Sequence, residues 1–222
     1  MGMAAKREGE VSAPPASGPG AKVLRPAAFQ LDDSGLVEEA LDGNEAAKRQ
    51  LFDRHARHVE RVLMRLLGDA SQIPDALHDV FVQVFRDLQS LREPSALKAW
   101  LTKVAVYVAR GRIRRRTRRR WLKFMSPDDL PTRAAPVAGE DVSEALRSVY
   151  MVLDTLPADE RIAFALRIIE GMELKEVAQA CDCSLATVKR RIKRAETAFV
   201  TAAREHESLR PWLMGGSRWT TE

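Results

Sequence analysis

The chain has 222 residues, 45% of them hydrophobic and 30% charged, with a net charge of +5 and a pI near 9.5. That is enough apolar material for one or two packed domains. Two cysteines exclude a disulfide framework, no apolar run reaches the roughly 18 residues of a membrane span, and the opening MGMAAKREGEVSAPPASGPG lacks the apolar core of a signal peptide. A cytoplasmic protein is therefore expected.

Residues 1–32 are rich in Ala, Gly, Pro and Ser without periodicity and read as a disordered arm. Asp33 or Ser34 is placed to cap a first helix through Leu36, Val37, Ala40 and Leu41, broken by Gly43 and Asn44. A longer helix follows, with Ala47, Leu51, Phe52, His55, Val59, Val62, Leu63, Leu66 and Leu67 at helical spacing, and stops at Gly68. His55 and His58 fall inside that pattern and read as a partly buried and an exposed helix residue, not as metal ligands. Pro74 opens a third helix whose core face is Leu77, Val80, Phe81, Val84, Phe85 and Leu88. Its other side carries Asp75, His78, Asp79, Gln83 and Asp87, an exposed acidic strip. After Glu93-Pro94-Ser95, a fourth helix runs through Trp100, Leu101, Val104, Ala105 and Val108 toward a basic run ending near Lys123.

From Arg110 to Lys123 there are nine basic residues and no acid. Residues 125–140, rich in Pro, Asp, Gly and Ala, read as an extended linker. A second helical domain is expected over 141–204, beginning with a capping box at Asp141 and Glu144. Leu146, Val149, Tyr150, Leu153 and Leu156 form its first apolar face, and Pro157 opens a helix holding Ile162, Ala163, Leu166 and Ile169. Residues 205–222 read as a flexible tail. No segment alternates with period two, so the fold class is all-α, in two small helical domains spanning 33–124 and 141–204.

The stretch LKEVAQACDCSLATVKRRIKRAETAF, Leu174–Phe199, reads as two helices joined by a tight turn. Leu185, Val188, Ile192, Ala195 and Phe199 make one apolar stripe on the second of them. Turning about 100° per residue puts Ala186, Arg190, Lys193 and Arg194 on the far side, Thr187 near its edge, and Lys189 and Arg191 on the flanks. Packed on one side and basic on the other, this has the form of a DNA-recognition helix. Two basic clusters on separate segments imply a polyanion touched in two places. Cys181 and Cys183 have no histidine near them in sequence and read as packing residues of the turn, not a metal site.

HDVFVQVF, followed by LKAWLTKVA and an Arg-rich run, resembles the second conserved region of bacterial sigma factors. DTLPADERIAFALRIIEGMELKEVAQACDCSLATVKRRIKRA resembles their fourth region. With no further domain between them, the chain resembles the short extracytoplasmic-function (ECF) class over roughly residues 34–204. The resemblance implies a promoter-specificity subunit of RNA polymerase. Its first domain would bind core polymerase and the minus-10 element, and its second would read the minus-35 element. It implies major-groove contacts at Lys189, Arg190, Lys193 and Arg194, and phosphate contacts at Thr187 and Arg191. Further DNA contacts are expected at Arg112, Arg115, Arg116 and Arg119, and polymerase contacts at Asp75, His78, Asp79 and Gln83. An anti-sigma factor is a further implied partner.

Three departures from the family pattern stand out. Val106 and Tyr107 lie where asparagine is frequent in the minus-10-reading segment, and Tyr107 offers a stacking ring in place of a base-edge hydrogen bond. Glu173 stands where a capping Ser or Thr is usual, and Asp182 where the turn often has Gly. Ser184 is expected to cap the recognition helix. The chain has no carboxylate pair with a metal-ligand histidine, no Gly-rich phosphate loop and no nucleophile beside a base, so neither an enzyme nor a cofactor is expected. The alternative left open is a stand-alone helix-turn-helix regulator that does not recruit polymerase.

Overall fold

The computed structural model describes residues 31–123 and 140–211. Most of the expected arm, the linker and the end of the tail lie outside these. The described residues form eight α-helices, and no strand occurs among them. The first half comprises α1 (Asp33–Leu41), α2 (Glu45–Leu67), α3 (Ile73–Asp87) and α4 (Leu97–Lys123). The second comprises α5 (Glu140–Leu153), α6 (Ala158–Phe164), α7 (Leu174–Cys181) and α8 (Leu185–Ala203).

Local chemistry sets the ends of these helices. Asp32 caps α1, its carboxylate accepting from the Gly35 amide at 2.9 Å, one residue earlier than expected. Asp33 is thereby freed to reach α2, where it meets Arg54 at 2.8 Å and His55 at 3.1 Å. Burial opposes ionisation of Asp33, but the hydrogen bonds from Arg54 and His55 prevail and hold its carboxyl below the usual range. Asn44 caps α2 through the amides of Ala46 and Ala47. Gly68 ends α2 in the left-handed region at φ 64°. Pro74 sits in the first turn of α3 as expected. α4 runs unbroken from the apolar segment through the basic run. Asp141 lies inside α5 instead of capping it, because that helix begins at Glu140.

Leu36, Leu63, Leu66, Val80, Leu97 and Leu101 are buried at the centre of the first half. Each fully buried leucine contributes on the order of 1.5–3 kcal/mol over an exposed one. The second half closes around Leu153, Phe164, Ala195 and Phe199, with the Phe164 and Phe199 rings stacked 5.0 Å apart. α6 continues into a π turn over Ala165–Ile169, where the Glu170 amide reaches back to the Ala165 carbonyl at 2.9 Å. The loose tail expected from residue 205 is corrected for its first residues. Leu209 is buried in the second core, and Ser208 Oγ donates to Ser148 Oγ at 2.7 Å. An apolar side chain within reach of an open core edge is enough to hold that short turn down.

The two halves also pack on each other. α4 lies against α6 and α7, and the end of α2 lies against the π turn. Arg161 of α6, 1% exposed, donates to the Leu66 carbonyl at 2.7 and 3.0 Å and to the Leu67 carbonyl at 3.0 Å. These are among the last carbonyls of α2, which have no partner within the helix. A cation placed there also meets the negative end of the helix dipole. Asp154 pairs with the same guanidinium.

Candidate nucleic-acid interface

The recognition helix α8 is positioned by the turn before it. Asp182 takes the left-handed conformation at φ 54°, which a short polar side chain tolerates, and the turn survives without glycine. Ser184 accepts from the Thr187 amide at 3.2 Å and caps α8 as expected. At the start of α7, where Glu173 stands in place of the usual Ser or Thr, the side chain of Glu176 accepts from the Glu173 amide at 2.8 Å, the N3 half of a capping box. Val188, Ile192, Ala195 and Phe199 are buried. Leu185 departs from the stripe: at the first position of the helix it remains 37% exposed.

The other side of α8 presents Lys189, Arg190, Lys193 and Arg194, all exposed on one continuous surface. Lys189, placed on a flank by periodicity alone, is as accessible as the rest. Thr187 is half-buried, its hydroxyl 2.9 Å from that of Ser184. Arg191 is half-buried and turns inward, 3.4 Å from Cys183 Sγ and 3.5 Å from Asp159. Burial, and then neighbouring Cys183, push the Cys181 thiol up to about 11. It is a neutral thiol at physiological pH, in keeping with a packing role.

On α4, Tyr107 stands 65% exposed, with its neighbour Val106 buried. Of the expected DNA contacts on the basic run, Arg115 and Arg119 are exposed. Arg112 and Arg116 are engaged, the first with Asp79 of α3 and the second with Asp154 of the second half. Arg110 and Arg114 meet Asp159 at 2.8 and 3.1 Å. The structure therefore divides the basic run into arginines held by carboxylates and arginines turned to solvent.

The strip on α3 presents Asp75, His78 and Asp79 to solvent beside Val82, which is half-exposed. Gln83 is half-buried, bound to Asp87 and accepting from Arg86 at 2.7 Å. The Asp79–Arg112 pair joins two groups of residues that the sequence assigns to different partners. His58, expected to be exposed, is half-buried: Nε2 lies 2.9 Å from Thr102 Oγ1 on α4. Sequence reasoning did not find Asp154, Asp159 or Arg161. A signal for Arg161 was present, since it shares a helical face with Phe164 and Ala165, which are buried.

A capped, basic recognition helix in one helical half and an exposed aromatic beside a basic run in the other define a two-part reader of nucleic acid. Comparison with known proteins narrows this class. Residues 51–119 match the family model for sigma-70 region 2, and residues 146–199 match that for sigma-70 region 4. The chain is 30% identical over 177 residues to the ECF RNA polymerase sigma-E factor of Haemophilus influenzae, covering 76% of this chain and 93% of that protein. It is also 30% identical over 179 residues to the corresponding factor of Escherichia coli K12, covering 77% and 93%. The solved structure of CnrH in complex with the cytosolic domain of CnrY shares the fold, with a TM-score of 0.53 and 24% identity, covering 79% of this chain and 99% of that one. The chain belongs to the ECF group of bacterial sigma-70 factors. It is an RNA polymerase sigma factor, whose partners are core polymerase and promoter DNA. The reading as a stand-alone regulator is not favoured, because the first half is itself a sigma region. No described helix is long and apolar enough to cross a membrane.

Proposed function

We propose that Arg190, Lys193 and Arg194 read base edges of the minus-35 element, with Lys189 beside them and Thr187 and Arg191 at phosphates. The observation that carries this reading is the exposed basic face of a helix whose opposite side is buried and whose first turn is capped by Ser184. An arginine fork meets both acceptors on a guanine edge, which gives such a face its specificity. Tyr107 stacks on an unpaired base of the melted minus-10 element, and Arg112, Arg115, Arg116 and Arg119 hold its backbone. Asp75, His78, Asp79 and Gln83 face core polymerase, acting mainly on association and register. The protein works in the cytoplasm without chemistry of its own, and an anti-sigma factor spanning both halves is its regulator.

Run-off transcription from a genomic library with core polymerase tests this assignment. Transcripts are expected only when the chain is added, and their start sites give both promoter elements. Asp79→Arg is expected to lose polymerase binding while keeping binding to duplex DNA. Normal transcription by that variant would remove the α3 strip from the polymerase interface.

A further inference from the structure

Two consecutive carboxylates in the first turn of α6 face two arginines of α8. Asp159 lies 3.5 Å from Arg191, and Glu160 lies 4.0 Å from Nη1 of Arg194. Lys189, Arg190 and Lys193, exposed on the same helix, meet no carboxylate among the described residues. The Glu160–Arg194 pair lies wholly within the second half, where α6 and α8 pack on each other. Its two ends differ in freedom. Glu160 has 18% of its side chain exposed, and the helix that carries it is anchored by buried Arg161, Ile162 and Ala163. Arg194 is 66% exposed and, with Arg190, Lys193, Thr197 and Ala198, lines a shallow groove on α8. A carboxylate at the edge of a surface that meets a polyanion opposes binding, unless it serves a cation there.

We propose that Glu160 is a positioning residue for minus-35 recognition, which aims the guanidinium of Arg194 at the edge of one guanine. The inference rests on the reading of α8 given above and deepens it. Arg190 and Arg194 stand one turn apart on the same face, so their like charges repel. Without a counter-charge, the long side chain of Arg194 spreads over many rotamers. Glu160 supplies that counter-charge from a fixed backbone. Between partly exposed groups 4.0 Å apart, the pair adds little to stability. Its effect falls on binding instead. Holding one rotamer-rich side chain in place beforehand is worth about two- to tenfold in affinity. A guanidinium carries several N–H donors in a rigid fork. Nη1 leans on the carboxylate, and Nε and Nη2 stay free to meet O6 and N7 of guanine.

The test uses the full-length chain with core polymerase and a promoter recovered by run-off transcription, its minus-35 segment randomised. Bound duplexes are sequenced, and the preference at each base pair is read as an enrichment ratio. Glu160→Ala, Arg194→Ala and the double variant are compared with wild type. Glu205→Gln, on an exposed residue beyond α8, controls for the change in net charge, and circular dichroism checks folding. Arg194→Ala is expected to abolish a guanine preference of roughly tenfold at one pair, the range of a bidentate contact. Glu160→Ala is expected to lower the preference at that same pair to about twofold and to leave the other pairs as in wild type. Glu160→Gln, which keeps an acceptor oxygen at the same reach, should restore part of it. The double variant should match Arg194→Ala. A Glu160→Ala variant that keeps the full preference overturns the proposal. So does one that flattens every pair alike, or one whose effect persists in the Arg194→Ala background. If Arg194→Ala itself changes no preference, the reading of Arg194 fails, and the role of Glu160 fails with it.

Discussion

The ring of Tyr150, on α5, occupies the space that a side chain on Gly68 would need. Gly68 meets two demands at once. Its left-handed backbone, φ 64°, ends α2, and its missing Cβ lets an aromatic residue of the other half lie flush on the turn. The Tyr150 hydroxyl then donates to the Met64 carbonyl at 3.2 Å.

Gly68→Ala is therefore expected to cost more than the backbone term of about 1–2 kcal/mol for a left-handed residue. In a Tyr150→Ala background the steric part disappears and only the backbone part remains. Urea denaturation of the two single variants and the double variant measures the difference. Strictly additive losses would show that the ring does not sit on Gly68.

Arg161→Met removes a buried cation and leaves Asp154 and the α2 carbonyls without it. A loss of about 3–5 kcal/mol is expected, as for one partner deleted from a buried pair. Asp154 keeps its pair with Arg116 in that variant, so adding Asp154→Leu should deepen the loss instead of recovering it. Chemical denaturation is the measurement, and a loss under about 1 kcal/mol would place Arg161 in solvent instead.

His58 is held below the ordinary histidine value of 6.5, first by burial and then by the positive charges of Lys98 and Arg61, with Glu170 opposing and His55 nearby. Because the folded chain resists protonation there, the unfolded chain binds the extra proton first. This contribution is present above 6.5 and declines as the pH falls through it toward the folded value. Thermal stability is expected to drop as the pH falls from neutral through 6.5, and His58→Gln should flatten that drop. Asp33, held below 3.8, titrates in a lower window and does not confuse the comparison.

Arg190→Ala or Arg194→Ala should weaken binding at the cognate minus-35 site by about 1–3 kcal/mol. Binding to mixed-sequence duplex should weaken less, because only base contacts distinguish the two. Fluorescence anisotropy on both duplexes decides it. Equal losses would make these arginines backbone contacts.

Much of this architecture was legible in the sequence, and the reasons are specific. The buried stripe Val188, Ile192, Ala195 and Phe199 and the Ser184 cap follow from local periodicity and local hydrogen bonding. Both act within a few residues, so the chain order encodes them directly. Leu185 escaped because the first helical position has too few neighbours around it to be covered. Asp32 took the cap expected of Asp33 or Ser34, a choice settled by the contact of Asp33 with Arg54 on another helix.

The contact between the halves was not legible. The helical face that Arg161 shares with Phe164 and Ala165 hints at its burial, but nothing local names its partners, about ninety-five residues earlier in the chain. The same holds for Arg112 and Arg116. In sequence they belong to a uniform basic run, and only tertiary placement separates them from exposed Arg115 and Arg119.

One carboxylate, that of Asp159, neutralises guanidinium groups from two helices. It thereby serves as a built-in counterion. A chain that carries its own counterions brings fewer uncompensated cations to the duplex and displaces fewer condensed ions from it. The steepness with which affinity falls as salt rises scales with the number of phosphates the chain neutralises, so each arginine that Asp159 keeps makes it shallower.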